Sequence, residues 1–234
     1  MDLMHLERLF REATVVELSQ LLEPHIPSPL SQGRYMQVPY QSRRLGDPCS
    51  HNFFGMGEHV GTHVDMPGHF VCDAPNERYL QDYAAGAFWG KARVIQLGDP
   101  CPPGTVIERD ALLRWEETHG AFEPDDIVLL ATGWDRHWAP KPQGTQYMQS
   151  WPALGEDAAQ YLVDRRIRLV GLDTPSVDVQ NGGYPIHNLL LGQGLLIAEN
   201  LKNLTRLPAE VFYMGLPIPM KNGTAGPIRA VALY

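Results

Sequence analysis

The segment DIVLLATGW, residues 126–134, gives the clearest indication of the fold class. It is apolar without a break from Ile127 to Ala131, and a glycine-containing turn follows. A short apolar run bounded by turn residues is typical of a strand buried on both faces, as in parallel sheets that are covered by helices. The segment therefore predicts a central strand of an α/β fold.

The neighbouring sequence agrees with this interpretation. Residues 108–120 and 155–167 carry apolar side chains at helical spacing, which predicts two helices. Another buried strand starts at residue 167 and ends before Asp173. Strands that alternate with helices in this way are typical of α/β domains.

Shorter patterns extend the prediction to both ends of the chain. They predict a helix at 2–11 with Leu3, Leu6 and Phe10 on one face, strands at 14–19, 92–98, 195–201, 211–218 and 227–234, a helix at 186–194, and a long ordered loop or irregular strands across 22–50. The sequence contains no internal repeat and no low-complexity linker. We expect a single domain over residues 1–234, with one mixed β-sheet-rich core and flanking helices.

Composition narrows the class of protein. The 234 residues have a net charge of −8 and no basic run, which argues against nucleic acid and anionic membranes as partners. No apolar run approaches the roughly 20 residues that a membrane helix needs, and the first residues do not form a signal peptide. Three scattered cysteines favour a reducing cytoplasm over a disulfide framework. We expect a cytoplasmic protein that acts on a small molecule.

The segment GEHVGTHVDMPGHF, residues 57–70, indicates a metal site. It gathers His59, His63, Asp65 and His69, and histidine and carboxylate side chains are good ligands for zinc and manganese. The spacing of the first two suits a helix face, whereas that of His63 and Asp65 suits one strand face. No single regular element brings all three to one ion, so we expect a bend within 59–63 followed by extended chain. A polar turn with surface histidines is the plainer alternative.

Three local ligands rarely complete a working site, so further ligands are expected from distant sequence. The candidates are His187, at the start of a predicted helix, and Glu199, at the end of a predicted strand. Taken alone, His187 is typical of a histidine at a helix end and Glu199 of a solvated charge.

The motif resembles that of a known family. HVGTHVDMPGH, residues 59–69, fits the pattern His-x-Gly-Thr-His-x-Asp-x-Pro-x-His of the metal-dependent cyclase-like hydrolases, which include bacterial kynurenine formamidase and isatin hydrolase. Residues 171–178, 187–204 and 226–233 also resemble the family, in the same order. The resemblance runs from about residue 14 to the end of the chain.

The resemblance implies a role for each candidate. His59, His63 and Asp65 would be metal ligands, and His187 and Glu199 would complete a two-metal site that Asp65 bridges. His69 would be a catalytic histidine outside the ligand set, and Glu199 could share the proton transfer. The implied cofactor is one or two divalent ions, zinc or manganese.

The resemblance also implies a β-rich α/β fold of the swivelling β/β/α type and a homodimer or larger homo-oligomer. The implied reaction is hydrolysis of the C–N bond of a small, aromatic amide, as in kynurenine formamidase, with metal-activated water. The alternatives are a cyclic amide (lactam) hydrolase like isatin hydrolase, a lactone hydrolase or cyclase, and a metal or small-molecule binder without turnover. A nucleophilic serine or cysteine enzyme is disfavoured. No Gly-x-Ser-x-Gly segment is present, and Cys72, three residues after His69, is a neighbour of that histidine only in sequence.

Some neighbouring residues are expected to support the site. Tyr40, Phe53 and Phe54 could form an apolar pocket wall, with plain core packing as the alternative. Four further residues, Thr62, Asp173, Ser176 and Asp178, could fix loops or orient ligand histidines, with ordinary turn chemistry as the alternative.

Overall fold

The computed structural model describes residues 3–234, in which the chain forms four α-helices. They are α1 (Leu3–Glu12), α2 (Arg109–His119), α3 (Glu156–Asp164) and α4 (Pro185–Gly192). Each lies where the sequence predicts a helix. Residue 2 of the first predicted helix, and the side chain of Leu6, lie outside the described part of the chain.

The same residues form twelve β-strands. These are β1 (Val15–Glu17), β2 (Met36–Gln41), β3 (His51–Gly55), β4 (His63–Asp65), β5 (Trp89–Gln96), β6 (Val106–Ile107), β7 (Ile127–Ala131), β8 (Ala153–Leu154), β9 (Leu169–Leu172), β10 (Leu196–Glu199), β11 (Glu210–Pro217) and β12 (Ala225–Leu233). The long predicted strands are all present. The sequence patterns do not predict β3, β6 or β8, and they anticipate β4 only as extended chain.

Eight of these strands form one mixed sheet in the order β1-β12-β11-β5-β7-β9-β10-β4. Strands β5, β7, β9 and β10 pair in parallel, and the other pairs are antiparallel. Strand β4 also pairs with β12, with Asp65 opposite Ala225, and this pairing closes the sheet into a barrel. The α/β fold with a mixed sheet is confirmed. Its closure is not predicted, because β4 has only three residues.

The central strand β7 separates two cores. Ile127 and Leu129 belong to the core inside the barrel, whereas Val128 and Leu130 pack against α2, α3 and α4 outside it. This alternation follows from the two-residue period of side chains along a strand. Every residue of β7 is fully buried, which confirms the prediction of a strand that is covered on both faces.

The barrel brings the predicted ligands to one rim. Strands β9 and β10 end there, and Glu199 at the end of β10 is opposite His63 at the start of β4. The carboxyl ends of parallel strands are the common location of ligand sites in α/β proteins. The fold therefore joins the His-rich segment to residues that lie more than a hundred positions later in the sequence.

Two fully buried tyrosines give a test of this packing. The Tyr147 hydroxyl donates to Asn200 Oδ1 at 3.0 Å, whereas the Tyr213 hydroxyl has no hydrogen-bond partner among the described residues. Tyr147→Phe should lower the free energy of unfolding by ~1–2 kcal/mol, because it leaves the Asn200 amide oxygen without its donor. Tyr213→Phe should leave it unchanged or raise it by up to ~1 kcal/mol. Urea unfolding of both variants checks this; an equal loss in the two would contradict it.

Candidate metal centre

Strand β4 presents His63 and Asp65 on the same face, because alternate strand residues point the same way. Before it, Gly61 adopts a φ of +74°, a conformation that glycine reaches without a steric cost. The resulting bend returns His59 to the face of β4, where its Nδ1 lies 2.8 Å from Asp65 Oδ1. The predicted geometry, a bend followed by extended chain, is confirmed.

Helix α4 supplies His187 from its first turn. The Asp178 carboxylate accepts hydrogen bonds from the backbone N–H groups of Ile186 and His187, at 2.8 and 3.1 Å. Asp178 Oδ2 also lies 2.5 Å from His187 Nδ1. One carboxylate therefore satisfies free N–H groups at the start of the helix and fixes the ring of the candidate ligand, as the sequence predicts for Asp178.

The five predicted ligands form two triads that share Asp65. Subsite A comprises His59, His63 and Asp65, and subsite B comprises Asp65, His187 and Glu199. Asp65 Oδ1 faces subsite A, 3.3 Å from His63 Nε2, and Oδ2 faces subsite B, 3.6 Å from His187 Nε2. Glu199 Oε1 lies 3.2 Å from His187 Nε2. Each carboxylate oxygen of Asp65 thus points to a different set of partners.

The polar atoms of this cluster fit a cation. His63 Nδ1 lies 2.9 Å from the Gly61 carbonyl oxygen, which can only accept, so Nδ1 carries a proton, and in the neutral ring the lone pair of Nε2 would point inward. His63 Nε2 and both carboxylate oxygens of Asp65 are buried without a hydrogen-bond partner in the described part of the chain. Buried acceptors that face one another are costly unless a proton or a metal ion lies between them. Zinc and manganese suit this set of imidazole and carboxylate ligands.

The close approach of these imidazole and carboxylate groups shifts their pKa values. Burial works to lower the pKa of the His63 imidazole, yet the Asp65 and Glu199 carboxylates raise it to about 9. Burial also opposes the charged form of His187, but the neighbouring carboxylates of Asp178, Asp65 and Glu199 raise its pKa well above the ordinary value. For Asp65 burial acts to raise the pKa, and the surrounding imidazoles hold it well below its usual range. Without metal, the positive charge of the protonated histidines offsets the negative charge of the buried carboxylates.

Metal affinity should therefore rise with pH. A histidine whose pKa is raised to about 9 holds its proton at neutral pH, and a metal ion has to displace that proton in order to bind. We expect the apparent Kd for Zn²⁺ to fall by about tenfold per pH unit between about pH 6 and 8, and the dependence to level off near the raised pKa. Competition with a chromophoric chelator measures this dependence. A Kd that is independent of pH in this range would contradict it.

His69 lies beside the triads rather than within them. A short 3-10 turn, Pro67–His69, brings its ring centroid to 3.9 Å from that of His59 and 6.2 Å from that of His187. Burial is the main cause that lowers the pKa of the His69 imidazole to about 4; Asp65 acts to raise this pKa, and the neighbouring histidines act to lower it. The ring is therefore neutral at pH 7 and able to accept a proton next to both subsites.

A cavity of about 530 Å³ opens over the two triads. Its apolar wall includes Phe70, Met148, Trp151 and Tyr184. The cavity is large enough for a small aromatic molecule. Phe70 immediately follows the His-rich motif, which is a signal that sequence reasoning could have used. The other three come from the end of a 3-10 turn, from a loop and from the residue before α4, none of which carries such a signal.

The predicted aromatic wall is wrong. Tyr40, Phe53 and Phe54 lie on the hairpin of β2 and β3, with 73%, 61% and 56% of their surface exposed. None of them lines the cavity, and none belongs to the core. Aromatic composition does not indicate which side of a hairpin faces the site.

The predicted supporting residues differ in their contacts. The Thr62 hydroxyl donates to the Asn200 carbonyl, and Ser176 Oγ accepts from the Asp178 N–H, so both fix loops. Asp173 does not contact a ligand histidine. Its carboxylate accepts from the backbone N–H groups of Thr132 and Gly133, and burial raises its pKa to about 7. Asp173 therefore fixes the turn after β7.

Sequence reasoning missed Asn200, which follows Glu199 directly. Its amide Nδ2 donates to the Gly61 carbonyl at 2.9 Å, and its Oδ1 accepts from Tyr147. Asn200 therefore joins the bend of the His-rich segment to the end of β10. The adjacency to Glu199 was the available signal.

A mixed barrel with two triads that share one carboxylate, set beneath a cavity, defines the class of metal-dependent hydrolases. Residues 4–179 match the family described as "Putative cyclase", which is more than half of the chain. The chain belongs to this cyclase family.

Individual relatives agree with this assignment. The chain is 30% identical to a kynurenine formamidase of Geobacillus thermodenitrificans over 222 residues, which cover 92% of this chain and 95% of that protein. It is 27% identical to an isatin hydrolase of Roseibium aggregatum over 202 residues, 78% of this chain and 74% of that protein. A solved isatin hydrolase A from Labrenzia aggregata, bound to benzyl benzoate, superposes with a TM-score of 0.85 at 27% identity and covers 98% of each chain.

A second solved isatin hydrolase, bound to the product analogue thioisatinate, superposes with a TM-score of 0.86 at 25% identity. The match covers 99% of this chain and 96% of that one. Within residues 3–234 no helix is long and apolar enough to cross a membrane.

Proposed function

We propose that this protein is a metal-dependent hydrolase that cleaves the C–N bond of a small aromatic amide, in the manner of the kynurenine formamidases. The observation that supports this most directly is the position of Asp65, whose two carboxylate oxygens face two separate ligand triads. Two-metal centres in hydrolases are built on such shared ligands. We propose two divalent ions per chain, zinc or manganese, held by His59, His63 and Asp65 in subsite A and by Asp65, His187 and Glu199 in subsite B.

His69 is the proposed acid and base. A divalent ion supplies a water of lowered pKa and polarises the substrate carbonyl when it is bound. His69 is neutral, borders both subsites and lies in the cavity wall, so it can take a proton from the attacking water and return it to the leaving nitrogen. Glu199 is the second candidate for this proton, because its Oε2 lies on the side of subsite A, 3.6 Å from His63 Nε2.

The charge of the cavity favours a second candidate, the hydrolysis of an uncharged cyclic amide. Among the described residues that line the cavity there is no lysine and no arginine. Away from the proposed metal ions and their histidines, the carboxylate of an amino-acid substrate would find no lysine or arginine partner there, and a buried charge without a partner is costly. An uncharged lactam, the type of substrate for which the isatin hydrolases are named, meets no such cost.

Four substrates separate these possibilities. N-formylkynurenine is a charged formamide, formanilide an uncharged one, isatin a cyclic amide and dihydrocoumarin a lactone. Turnover of both formamides supports the leading proposal, and a preference for isatin supports the second. Fast turnover of dihydrocoumarin alone would indicate that the enzyme hydrolyses the C–O bond of a lactone. Binding without turnover of any of the four, or turnover that EDTA does not affect, would contradict metal-dependent amide hydrolysis.

We also propose that the protein forms a homodimer or a larger homo-oligomer. The hairpin of β2 and β3 exposes a set of large apolar side chains, namely Met36, Val38, Tyr40, Phe53 and Phe54. Exposed apolar clusters of this kind mark interaction surfaces.

Removing this surface should dissociate the oligomer. Val38 and Phe53 are paired across the hairpin, so the double variant Val38→Ser and Phe53→Ser removes two adjacent members of this apolar set. Size-exclusion chromatography with light scattering should then give the mass of one chain, 26.2 kDa. Asn52→Ser, in the adjacent register position, is the control and should keep the oligomer. A wild-type protein that already runs as one chain would contradict the proposal.

We further propose that residues 1–234 act as one hydrolase domain and that the protein works in the reducing cytoplasm. The first point is supported by a single barrel that takes strands from both ends of the chain, since β1 pairs with β12. The second is supported by Cys49, Cys72 and Cys101, all of which are free thiols.

A further inference from the structure

His59 differs from the other two candidate histidine ligands in the nitrogen that it directs at Asp65. His63 and His187 approach through Nε2, whereas His59 approaches through Nδ1, 2.8 Å from Asp65 Oδ1. A neutral imidazole carries its proton on one nitrogen and its lone pair on the other. His59 can therefore serve subsite A only as the tautomer that is protonated on Nε2.

A threonine hydroxyl lies behind that nitrogen. His59 Nε2 is 3.2 Å from Thr224 Oγ1. The Thr224 hydroxyl donates to Glu58 Oε2 at 2.9 Å, since a carboxylate can only accept. With its single proton used in this way, Thr224 Oγ1 offers only lone pairs to His59. The geometry thus requires His59 Nε2 to be the donor.

The Glu58 carboxylate is itself fixed by the backbone. Its Oε2 also accepts from the backbone N–H groups of Thr224 and Ala225, at 2.8 and 3.2 Å. Ala225 begins β12 and pairs with Asp65, and the Thr224 carbonyl accepts from the Met66 N–H at 2.9 Å. Thr224 is therefore held against the strand that carries the shared ligand.

We propose that Glu58 and Thr224 are positioning residues that lock His59 in the Nε2–H tautomer and aim its Nδ1 at subsite A. This inference rests on the proposed metal-dependent function. Each of the three histidines then has an acceptor beside the ring nitrogen that faces away from the metal site. The Gly61 carbonyl holds His63, the Asp178 carboxylate holds His187, and the Thr224 hydroxyl holds His59. Partners of this kind set the tautomer and the basicity of histidine ligands in metal sites.

Paired substitutions isolate the contribution of each group. Thr224→Val removes the hydroxyl at nearly constant shape, and Thr224→Ser retains it. Glu58→Ala removes the acceptor, and Glu58→Gln keeps an accepting oxygen. Thr145→Val is the control, because the Thr145 hydroxyl donates to the Pro142 carbonyl outside the site.

The test combines zinc affinity with the tautomer of His59. Competition with a chelator should show zinc binding weakened by about 10–100-fold in Thr224→Val and Glu58→Ala, the range found when such partners are removed. The zinc affinity should stay within about threefold of the wild-type value in Thr224→Ser, Glu58→Gln and Thr145→Val. In ¹⁵N-histidine-labelled protein at pH 8, long-range ¹⁵N–¹H spectra should show His59 protonated on Nε2 in wild type and Thr224→Ser. In metal-free Thr224→Val the proton should shift toward Nδ1, which faces Asp65 Oδ1 at 2.8 Å.

Unchanged zinc affinity in Thr224→Val, or a loss in Thr224→Ser as large as that in Thr224→Val, would overturn the inference. So would metal-free wild type in which His59 Nε2 carries no proton. The spectra are also recorded without metal, which separates this inference from the proposed function. A wild type that binds no zinc contradicts the function, whereas the metal-free tautomer still decides whether Glu58 and Thr224 lock His59.

Discussion

Asp65→Ala is expected to abolish metal binding at both subsites and to lower kcat/KM by at least about 10³-fold, since a catalytic metal contributes several kcal/mol to transition-state stabilisation. The reason is the shared position of Asp65, whose Oδ1 and Oδ2 face His63 and His187 respectively. Elemental mass spectrometry of the purified variant, together with the substrate assays, measures both effects.

Asp65→Asn makes this test sharper. It keeps the shape of the side chain and one of its oxygens, so a shared ligand predicts that one metal is retained and one is lost. Asp82→Asn, on the surface away from the cavity, is the control and should keep the full complement. Retention of both ions in Asp65→Ala would show that Asp65 holds neither.

His69→Ala is expected to lower kcat by about 10²–10⁴-fold while the metal content stays unchanged, the loss typical of removing a general acid or base. His69 belongs to neither triad, yet its ring centroid lies 3.9 Å from that of His59 at the cavity wall. Kinetic assays and metal analysis on the same preparation separate the two roles.

His5→Ala serves as the matched control, since His5 lies on the exposed helix α1, where its Nδ1 is 3.2 Å from the Arg8 guanidinium, and does not line the cavity. If His69→Ala lost metal in proportion to activity, His69 would be a ligand instead of a base. Full activity with full metal content would leave Glu199 as the group that transfers the proton.

The sequence predicts the part of the candidate site whose residues are close together along the chain. The spacing of His59, His63 and Asp65 demands a bend followed by extended chain, and the structure has both at Gly61 and β4. His187 and Glu199 were accessible only through their positions at the start of a helix and the end of a strand, and through the family resemblance. Their convergence on Asp65 depends on the antiparallel pairing of β10 with β4.

The remaining features depend on tertiary contacts that no local pattern carries. Strand β4 closes the barrel although its three residues have no strand periodicity to detect. Thr224 supports His59 because the turn before β12 folds onto β4, 165 positions along the chain. Trp151 and Tyr184 reach the cavity from irregular loops, whereas the aromatic residues of the hairpin, such as Phe53, do not.

The metal content of protein purified without chelator, measured by elemental mass spectrometry, tests directly whether Asp65 serves two metal ions. The arrangement of two triads around Asp65 predicts about two equivalents of zinc or manganese per chain, with activity that EDTA removes and added metal restores. One equivalent would contradict the shared role of Asp65. No bound metal, with activity that is indifferent to EDTA, would contradict the metal centre itself.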